Sequence, residues 1–376
     1  MQTELEKLCI FANRKGEKRE MTDDEKMVFG QRLKALREMR GLSQADLAER
    51  MGGMITPQAI YKYEKGKMSP DSAVLIHLAE VLETSPDAFL RPVGTKVEGL
   101  AFRKQSSLGV KKQKAIVTMV TETVNRYAEI EDILGLNAVF DRSPFVMPVS
   151  TSDEAKVVAR RLREEWNLGE DGIAGLIPLL EEHHVRVIEI EEKEKFSGLS
   201  GWAGEMPIVV VKKDEKEEKT ERKRFTVLHE LGHLILNMTE EVNDKEKETL
   251  CNQFANEVLL PESVVRKRLG DSGNKVLSMQ ELIELQKQFG ISIDAIIYKL
   301  HEMGVLNDSR FSAHFRKKSN EAYKNYVEQS RIGVEHSGRF ECLVYNALAK
   351  DLVSLSKAIE LLGKPVEEVL EKALKI

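Results

Sequence analysis

The chain has 376 residues, of which 41% are hydrophobic and 32% charged, and its formal net charge is −5. These values are typical of a globular protein with two or three domains and exclude a polycation, so nucleic-acid binding would need a local surface. No apolar run approaches the roughly 20 residues that cross a bilayer, and the N-terminus lacks a signal-peptide core. The three cysteines are scattered and form no CxxC pair. We therefore expect a cytoplasmic protein with no membrane segment and no disulfide framework.

The patterns along the chain predict an α+β protein that is mostly helical. In order, we expect an extension, a compact helical domain, a linker with a long connector helix, a domain with a small sheet, and a helical C-terminal region. The corresponding boundaries are residues 1–24, 25–91, 92–150, 151–270 and 271–376, and the apolar spacing predicts the connector helix over residues 111–136.

The first compact stretch, residues 32–66, has the pattern of a helix, a turn and a second helix. Its apolar side chains recur at spacings that face one small core. Ser43 and Thr56 are suitable N-caps for the two helices, and Pro57 suits a first helical position. The second helix would then project four side chains from the face opposite its buried isoleucine: Gln58, Ala59, Tyr61 and Lys62.

The string LSQADLAER…AIYKYEKG resembles the XRE, or phage Cro/repressor, class of helix-turn-helix domains. The resemblance implies a five-helix domain whose second motif helix enters the major groove of a double-stranded DNA operator. It implies that Gln58 and Lys62 contact base edges, that Gln44 contacts the backbone and that Ser43 binds phosphate. The predicted DNA-binding set also includes Thr56, Ala59 and Tyr61. It also implies a homodimer that reads two half-sites.

The local charge keeps a second interpretation open. Between residues 29 and 91 there are 9 basic and 8 acidic residues, a net charge of +1. Because phosphate neutralisation supplies much of DNA affinity, a nearly neutral domain would bind weakly as a monomer. The alternative is a helical module for dimerisation or protein binding.

Two β-branched runs predict strands in the following domain. They are VRVIEI at residues 185–190 and PIVVV at residues 207–211, and between them FSGLSGW suits a turn or an irregular edge. We expect the PIVVV strand to run beside a cleft and to offer an exposed edge to an extended substrate backbone.

Residues 229–233 read HELGH inside FTVLHELGHLILN, which has the apolar spacing of a buried helix. His229 and His233 are four residues apart, so one helical turn puts both imidazoles on one face, where they can bind zinc. Glu230 is offset from His229 by about 100° and is close enough to act on the attacking water. A chance pair of buried histidines is the alternative, because the fragment alone is not specific.

Catalytic zinc usually takes three protein ligands, so a third is needed. On the next predicted helix, Glu248 and Asn252 share a face, which suits a carboxylate ligand and a side chain that hydrogen-bonds a ligand histidine. Glu257 points to nearly the opposite face and competes for the same role, and Glu246 is a weaker option. The helical geometry favours Glu248.

Several strings resemble the ImmA/IrrE family of zinc metallopeptidases: LREEWNLGEDGI, LLEEHHVRVIEI, FSGLSGW, ERKRFTVLHELGHLIL and CNQFANEVLLP. The resemblance implies a gluzincin-like domain in which His229, His233 and Glu248 bind Zn²⁺. It also implies that Glu230 is the general base and that the substrate is a protein.

Together these features predict a DNA-binding regulator that is also a zinc endopeptidase and cleaves a repressor or antitoxin-type protein. One alternative is a non-proteolytic DNA-binding sensor that uses the peptidase fold as a regulatory domain. Another is self-processing, with cleavage in the linker at residues 92–110.

Overall fold

The computed structural model describes residues 21–90, 97–100, 109–136, 139–191, 196, 198–213, 219–270 and 276–373. Most of the extension and much of the linker expected from the sequence lie outside these ranges. The described residues form two compact units. The first comprises residues up to 97, 109–136 and those from 340 onward, and the second comprises residues 98–100 and 139–339. The domain boundaries proposed from the sequence remain predictions.

The chain has the expected fold class, α+β and mostly helical. The first unit begins with the helices α1 (Asp23–Met39), α2 (Gln44–Arg50), α3 (Pro57–Glu64) and α4 (Ser72–Val81), followed by a 3₁₀ turn at Pro86–Phe89. Each α-helix starts at a side-chain N-cap. Their apolar faces enclose one core that includes Phe29, Leu33, Leu47 and Ile60.

The long connector helix predicted over residues 111–136 is present as α5 (Val110–Ile133). Inside the first unit, Arg32 of α1 and Glu122 of α5 form a buried ion pair at 2.5 Å. The C-terminal part of α5 contributes Ile130 to a core shared with the last three helices of the chain, Arg339–Ala349, Leu355–Leu362 and Val366–Ala373.

The second unit combines short strands with nine α-helices among its described residues. Up to the sheet, its elements are a 3₁₀ turn at Ser143–Phe145, β1 (Pro148–Val149), α6 (Ser152–Glu165) and α7 (Leu176–Glu182). The central elements are β2 (Arg186–Ile190), β3 (Gly198–Ala203), β4 (Met206–Lys212), α8 (Thr220–Ile235), β5 (Asn237–Met238) and α9 (Asp244–Leu259). The remaining helices are α10 (Glu262–Leu269), α11 (Met279–Phe289), α12 (Ile293–Glu302), α13 (Asp308–Lys317) and α14 (Glu321–Glu328).

The three-stranded sheet has the order β2-β4-β3, with β4 parallel to β2 and antiparallel to β3. The expectation that the PIVVV strand offers an exposed edge is therefore wrong, because both edges of β4 are hydrogen-bonded. The glycine-containing FSGLSGW segment was expected to be a turn or an irregular edge. Its residues 198–202 lie in β3 (Gly198–Ala203), a regular strand at the edge of the sheet.

None of the described helices is both long enough and apolar enough to span a membrane.

Candidate functional site

Helices α8 and α9 bring two histidines and one glutamate together. The Nε2 atoms of His229 and His233 on α8 lie 3.3 Å apart. Glu248 on α9 reaches both rings, with Oε2 at 3.4 Å from His229 Nε2 and Oε1 at 3.4 Å from His233 Nε2. The three side chains offer ligand atoms that all lie within 4.8 Å of one another.

These separations fit a tetrahedral zinc ion. With zinc–ligand bonds of about 2.0–2.1 Å, two ligand atoms of a tetrahedron lie roughly 3.3–3.4 Å apart. The three measured separations, 3.3, 3.4 and 3.4 Å, fall at that value. Two imidazole nitrogens and one carboxylate oxygen are also the donor set of gluzincin-type catalytic zinc, which keeps a fourth position open.

Asn252 orients one of these rings. Its Oδ1 atom lies 2.7 Å from Nδ1 of His229. Because an amide oxygen only accepts hydrogen bonds, this contact selects the tautomer in which Nδ1 carries the proton. The lone pair of His229 is then on Nε2, which faces Glu248 and His233.

The approach of α9 to α8 depends on a small residue at position 232. A Cβ atom added to Gly232 would lie 3.2 Å from Cδ1 of Phe254 and 3.3 Å from Sγ of Cys251. Both neighbours are fully buried on α9 and have little room to move. Gly232 therefore lets the two helices pack closely at the level of the histidines.

Glu230 is 98% buried, and its carboxylate lies against strand β3. Ser200 donates a hydrogen bond of 2.9 Å from Oγ to Oε2 of Glu230. A Cβ atom at Gly198 would lie 2.8 Å from both Cγ and Oε1 of Glu230, so a larger residue at this position would displace the carboxylate. Sequence reasoning assigned no role to Gly198 or Ser200. The sequence feature that could have identified them is the pair of small residues at positions i and i+2, which lie on one face of a strand.

Glu257, the competing candidate, is fully buried in an ion-pair cluster. Its Oε2 accepts a hydrogen bond of 2.5 Å from the Lys299 ammonium, and its Oε1 lies 3.3 Å from Nη1 of Arg160. Burial lowers the pKa of Lys299, although the attraction of Glu257 opposes that shift. Glu246 instead accepts the backbone N–H of Asn243 at 2.9 Å and caps α9. Of the three candidate glutamates, the structure brings Glu248 to the histidines.

The candidate DNA surface is the outer face of α3. Thr56 caps this helix by accepting the N–H of Ala59 at 3.2 Å, and Ile60 is fully buried beneath it. Gln58, Tyr61 and Lys62 are exposed and Ala59 is half-buried, so the side chains expected to contact DNA lie on the solvent side.

Ser43 and Gln44, at the start of α2, are both engaged within the chain. The Ser43 hydroxyl accepts the N–H of Asp46 at 3.0 Å and caps α2. Gln44 donates from Nε2 to Oε2 of Glu64 at 2.8 Å, and Glu64 also forms an ion pair of 2.6 Å with Arg37. These contacts link α1, α2 and the end of α3.

Two segments of the chain match models of known families. Residues 33–89 match the model described as helix-turn-helix, and residues 180–301 match the peptidase model described as IrrE N-terminal-like domain. The second match contains both candidate histidines, Glu230 and Glu248.

Curated relatives match the same two regions. The radiation response metalloprotease IrrE of Deinococcus radiodurans is 33% identical over 99 residues, which is 22% of this chain and 28% of that protein. The SPbeta prophage-derived uncharacterized HTH-type transcriptional regulator YonR of Bacillus subtilis is 42% identical over 64 residues, 17% of this chain and 57% of the relative. The uncharacterized HTH-type transcriptional regulator YqaE of the same organism is 34% identical over 64 residues, 17% of this chain and 53% of the relative.

The chain thus spans between 28% and 57% of the curated relatives it matches. The two regions are distinct, since the helix-turn-helix match ends at residue 89 and the peptidase match begins at residue 180. The chain thus combines a segment similar to XRE-type helix-turn-helix regulators with a segment similar to the IrrE-like metallopeptidase domain.

Proposed function

We propose that the chain is a DNA-binding transcriptional regulator whose second unit is a zinc-dependent endopeptidase. Its substrate is another protein of the repressor or antitoxin type. The observation that carries the proposal is the convergence of His229, His233 and Glu248 at separations of 3.3–3.4 Å, with Glu230 next to the first histidine. A pair of histidines buried by chance would not require a carboxylate at the same distance from both rings.

Four side chains divide the proposed chemistry. His229, His233 and Glu248 would hold the zinc ion, and Glu230 would take the proton of the attacking water and deliver it to the leaving amine. When bound, zinc would polarise the scissile carbonyl and lower the pKa of water. Ser200 donates a 2.9 Å hydrogen bond to one oxygen of Glu230 and so fixes the position of its carboxylate.

Cleavage is tested by incubating the zinc-loaded protein with the repressors and antitoxins encoded next to it and sequencing new N-termini by mass spectrometry. We expect new N-termini with the wild type and at least about a 100-fold slower reaction with Glu230→Gln. Equal cleavage by both proteins would remove Glu230 from the mechanism. Zinc binding without cleavage of any candidate would favour the non-proteolytic sensor instead.

Fragments of the chain itself, cut between residues 92 and 110, would identify self-processing. A gel of aged, zinc-loaded wild type compared with Glu230→Gln detects them.

DNA binding is tested with an operator selected from random duplexes by the full-length protein. Replacing the exposed Lys62 by alanine should cost about 1–3 kcal/mol of binding free energy if it contacts a base edge. The matched control is Lys287→Ala, which removes an exposed lysine of α11 and should leave affinity unchanged. An equal effect of the two substitutions would contradict the assignment of α3 as the recognition helix. The proposed homodimer predicts that the selected operators contain two half-sites.

A further inference from the structure

A short segment of the same chain, residues 98–100, lies against the outer edge of β3, which is the edge that does not pair with β4. β4 pairs with one edge of β3, and Glu98 lies at the other. The N–H of Glu98 donates to the carbonyl of Trp202 at 2.7 Å, and the N–H of Trp202 donates to the carbonyl of Glu98 at 2.8 Å. This reciprocal pair is the hydrogen-bonded unit of an antiparallel ladder.

The edge is shaped for close backbone contact. A Cβ atom on Gly201 would lie 2.7 Å from the carbonyl oxygen of Glu98 and 3.1 Å from the backbone nitrogen of Leu100. The absence of a side chain at position 201 therefore lets residues 98–100 lie directly on β3. Both hydrogen bonds join backbone atoms, so another extended chain could make them regardless of its sequence.

The same strand leads to the candidate catalytic carboxylate. Gly198 and Ser200 of β3 both contact Glu230, and Ser200 is two residues from Trp202, a distance of about 7 Å along a strand. Consider a polypeptide that pairs with β3 so that its scissile bond faces Glu230. A few residues from the scissile bond, this polypeptide would need to hydrogen-bond with the backbone of Trp202. Residues 98–100 already use that edge.

We propose that residues 98–100 are an intrachain strand that blocks the outer edge of β3, and that the substrate is an extended polypeptide segment that adds to β3 by displacing them. This inference rests on the proposed peptidase function and adds its substrate class and its regulation. The blocking strand belongs to the same chain as β3, so it competes with a substrate at an effective concentration that does not depend on dilution.

The first experiment measures whether the strand is docked. Glu98→Pro removes the N–H that donates to Trp202, whereas the matched control Glu98→Ala keeps the backbone donor. Gly201→Ala should displace the same segment by a change in β3, because the added methyl group would collide with the backbone of residues 98–100. Hydrogen exchange on the full chain should show the Trp202 amide exchanging at least about tenfold faster in Glu98→Pro and in Gly201→Ala than in the wild type and the control.

The second experiment measures whether opening the edge admits a peptide. The probe is the synthetic peptide VEGLAFRK, the sequence of residues 97–104, and all proteins are zinc-loaded and carry Glu230→Gln so that binding is read without hydrolysis. Glu98→Pro should bind the fluorescent peptide at least about tenfold more tightly than the parent or Glu98→Ala, because no intrachain strand competes. Binding should protect the Trp202 amide again.

Equal Trp202 exchange in the wild type and Glu98→Pro, or equal peptide affinity of the parent and Glu98→Pro, would overturn the blocking strand. If both experiments give the expected results while the zinc-loaded wild type cleaves no protein, the β3 edge is a regulated polypeptide-binding site. In that case only the proposed peptidase activity fails.

Discussion

At the scale of single residues, the two buried or half-buried glutamates of α9 have different partners. Glu248 lies at equal distances from two histidine rings, whereas Glu257 neutralises Lys299 in the interior. Their side chains are 40% and 1% exposed, respectively. Removing the charge of Glu248 should therefore affect metal binding, whereas removing the charge of Glu257 should affect folding.

We expect Glu248→Gln to weaken zinc binding by more than about 100-fold and to change the stability of the zinc-free protein by no more than about 0.5 kcal/mol. Glu257→Gln should destabilise the protein by roughly 3–5 kcal/mol, because it leaves the Lys299 charge buried without its partner. Zinc affinity is measured by competition with a chelator and stability by urea unfolding. The reverse pattern would make Glu257 the ligand.

The hydrogen bond between Asn252 and His229 should contribute to metal affinity without contacting the metal. Asn252→Ala should lower zinc affinity about 10–100-fold, since side chains that orient ligand histidines have effects of this size. Asn252→Asp keeps an oxygen that accepts from Nδ1 and should retain most of the affinity. If alanine and aspartate weaken binding equally, the 2.7 Å contact does not orient the ring.

At the scale of elements, the site depends on how closely α8 and α9 approach. The two histidines share a face of α8 through local helical geometry alone, but Glu248 reaches them only because the helices are in contact along Gly232. The interface around Cys251 and Phe254 is fully buried, so an extra methyl group has no cavity to fill.

Gly232→Ala should therefore destabilise the protein despite the better helix propensity of alanine. The gain of about 1 kcal/mol from propensity opposes an overpacking cost of roughly 1–3 kcal/mol. Zinc affinity should fall as well, because α9 carries Glu248 away from the rings. Adding Cys251→Ala removes the contact at 3.3 Å and should restore part of both losses. A lack of coupling in this double-mutant cycle would show that the contact does not set the helix separation.

Helices α12 and α13 are joined by a charge cluster with a defined pH dependence. Asp294 accepts hydrogen bonds from His314 at 2.8 Å and from Lys318 at 2.6 Å. Burial alone would raise the pKa of Asp294, but these two partners outweigh burial and lower it below the ordinary 3.8. Because the folded-state pKa is the lower one, the stabilisation is complete above pH 3.8 and is lost as the pH falls through the folded-state pKa.

Asp294→Asn should accordingly cost roughly 1–3 kcal/mol of unfolding free energy near neutral pH. The difference from the wild type should shrink as the pH falls below about 4 and through the folded-state pKa, because the carboxylate of the folded wild type then becomes protonated as well. Urea unfolding of both proteins between pH 3 and pH 7 measures this difference. A difference that does not vary with pH would mean that the charge of Asp294 contributes nothing.

At the scale of the whole molecule, the helix-turn-helix segment lies in one compact unit and the candidate zinc site in the other. The three candidate ligands come from two helices of the second unit, so metal binding should stabilise that unit directly. The core of the first unit around Phe29 and Leu47 contributes no ligand to this cluster.

Removal of zinc with a chelator should lower the unfolding temperature of the second unit in calorimetry. With free zinc at 1,000 times its dissociation constant, the bound metal contributes about 4 kcal/mol, which chelation removes. Glu230→Gln should respond like the wild type, because it keeps all three ligands. Glu248→Gln should already unfold at the lower temperature and should show little further change. A wild type whose unfolding is insensitive to chelation would contradict the zinc site.

Much of the local structure was predictable because its causes are close in sequence. Ser43 and Thr56 were expected as N-caps from the sequence, and both accept the backbone N–H three residues later. The period of apolar residues likewise predicted α5 to within a few residues. Strand pairing was harder: the valine run of β4 indicates a strand but does not distinguish a central strand from an edge, and the glycines of β3 obscured a regular strand.

The sequence by itself determined that His229 and His233 share a face with Glu230 beside them, because helical spacing fixes these relations within a single turn. It also determined the helix-turn-helix pattern, whose caps and apolar period act over a few residues. Only the tertiary structure decided that Glu248 rather than Glu257 meets the histidines, that Ser200 holds Glu230, and that residues 98–100 lie on β3. These contacts join residues that are between 15 and about 100 positions apart, and they depend on the packing of helices and strands against one another, which no local periodicity encodes.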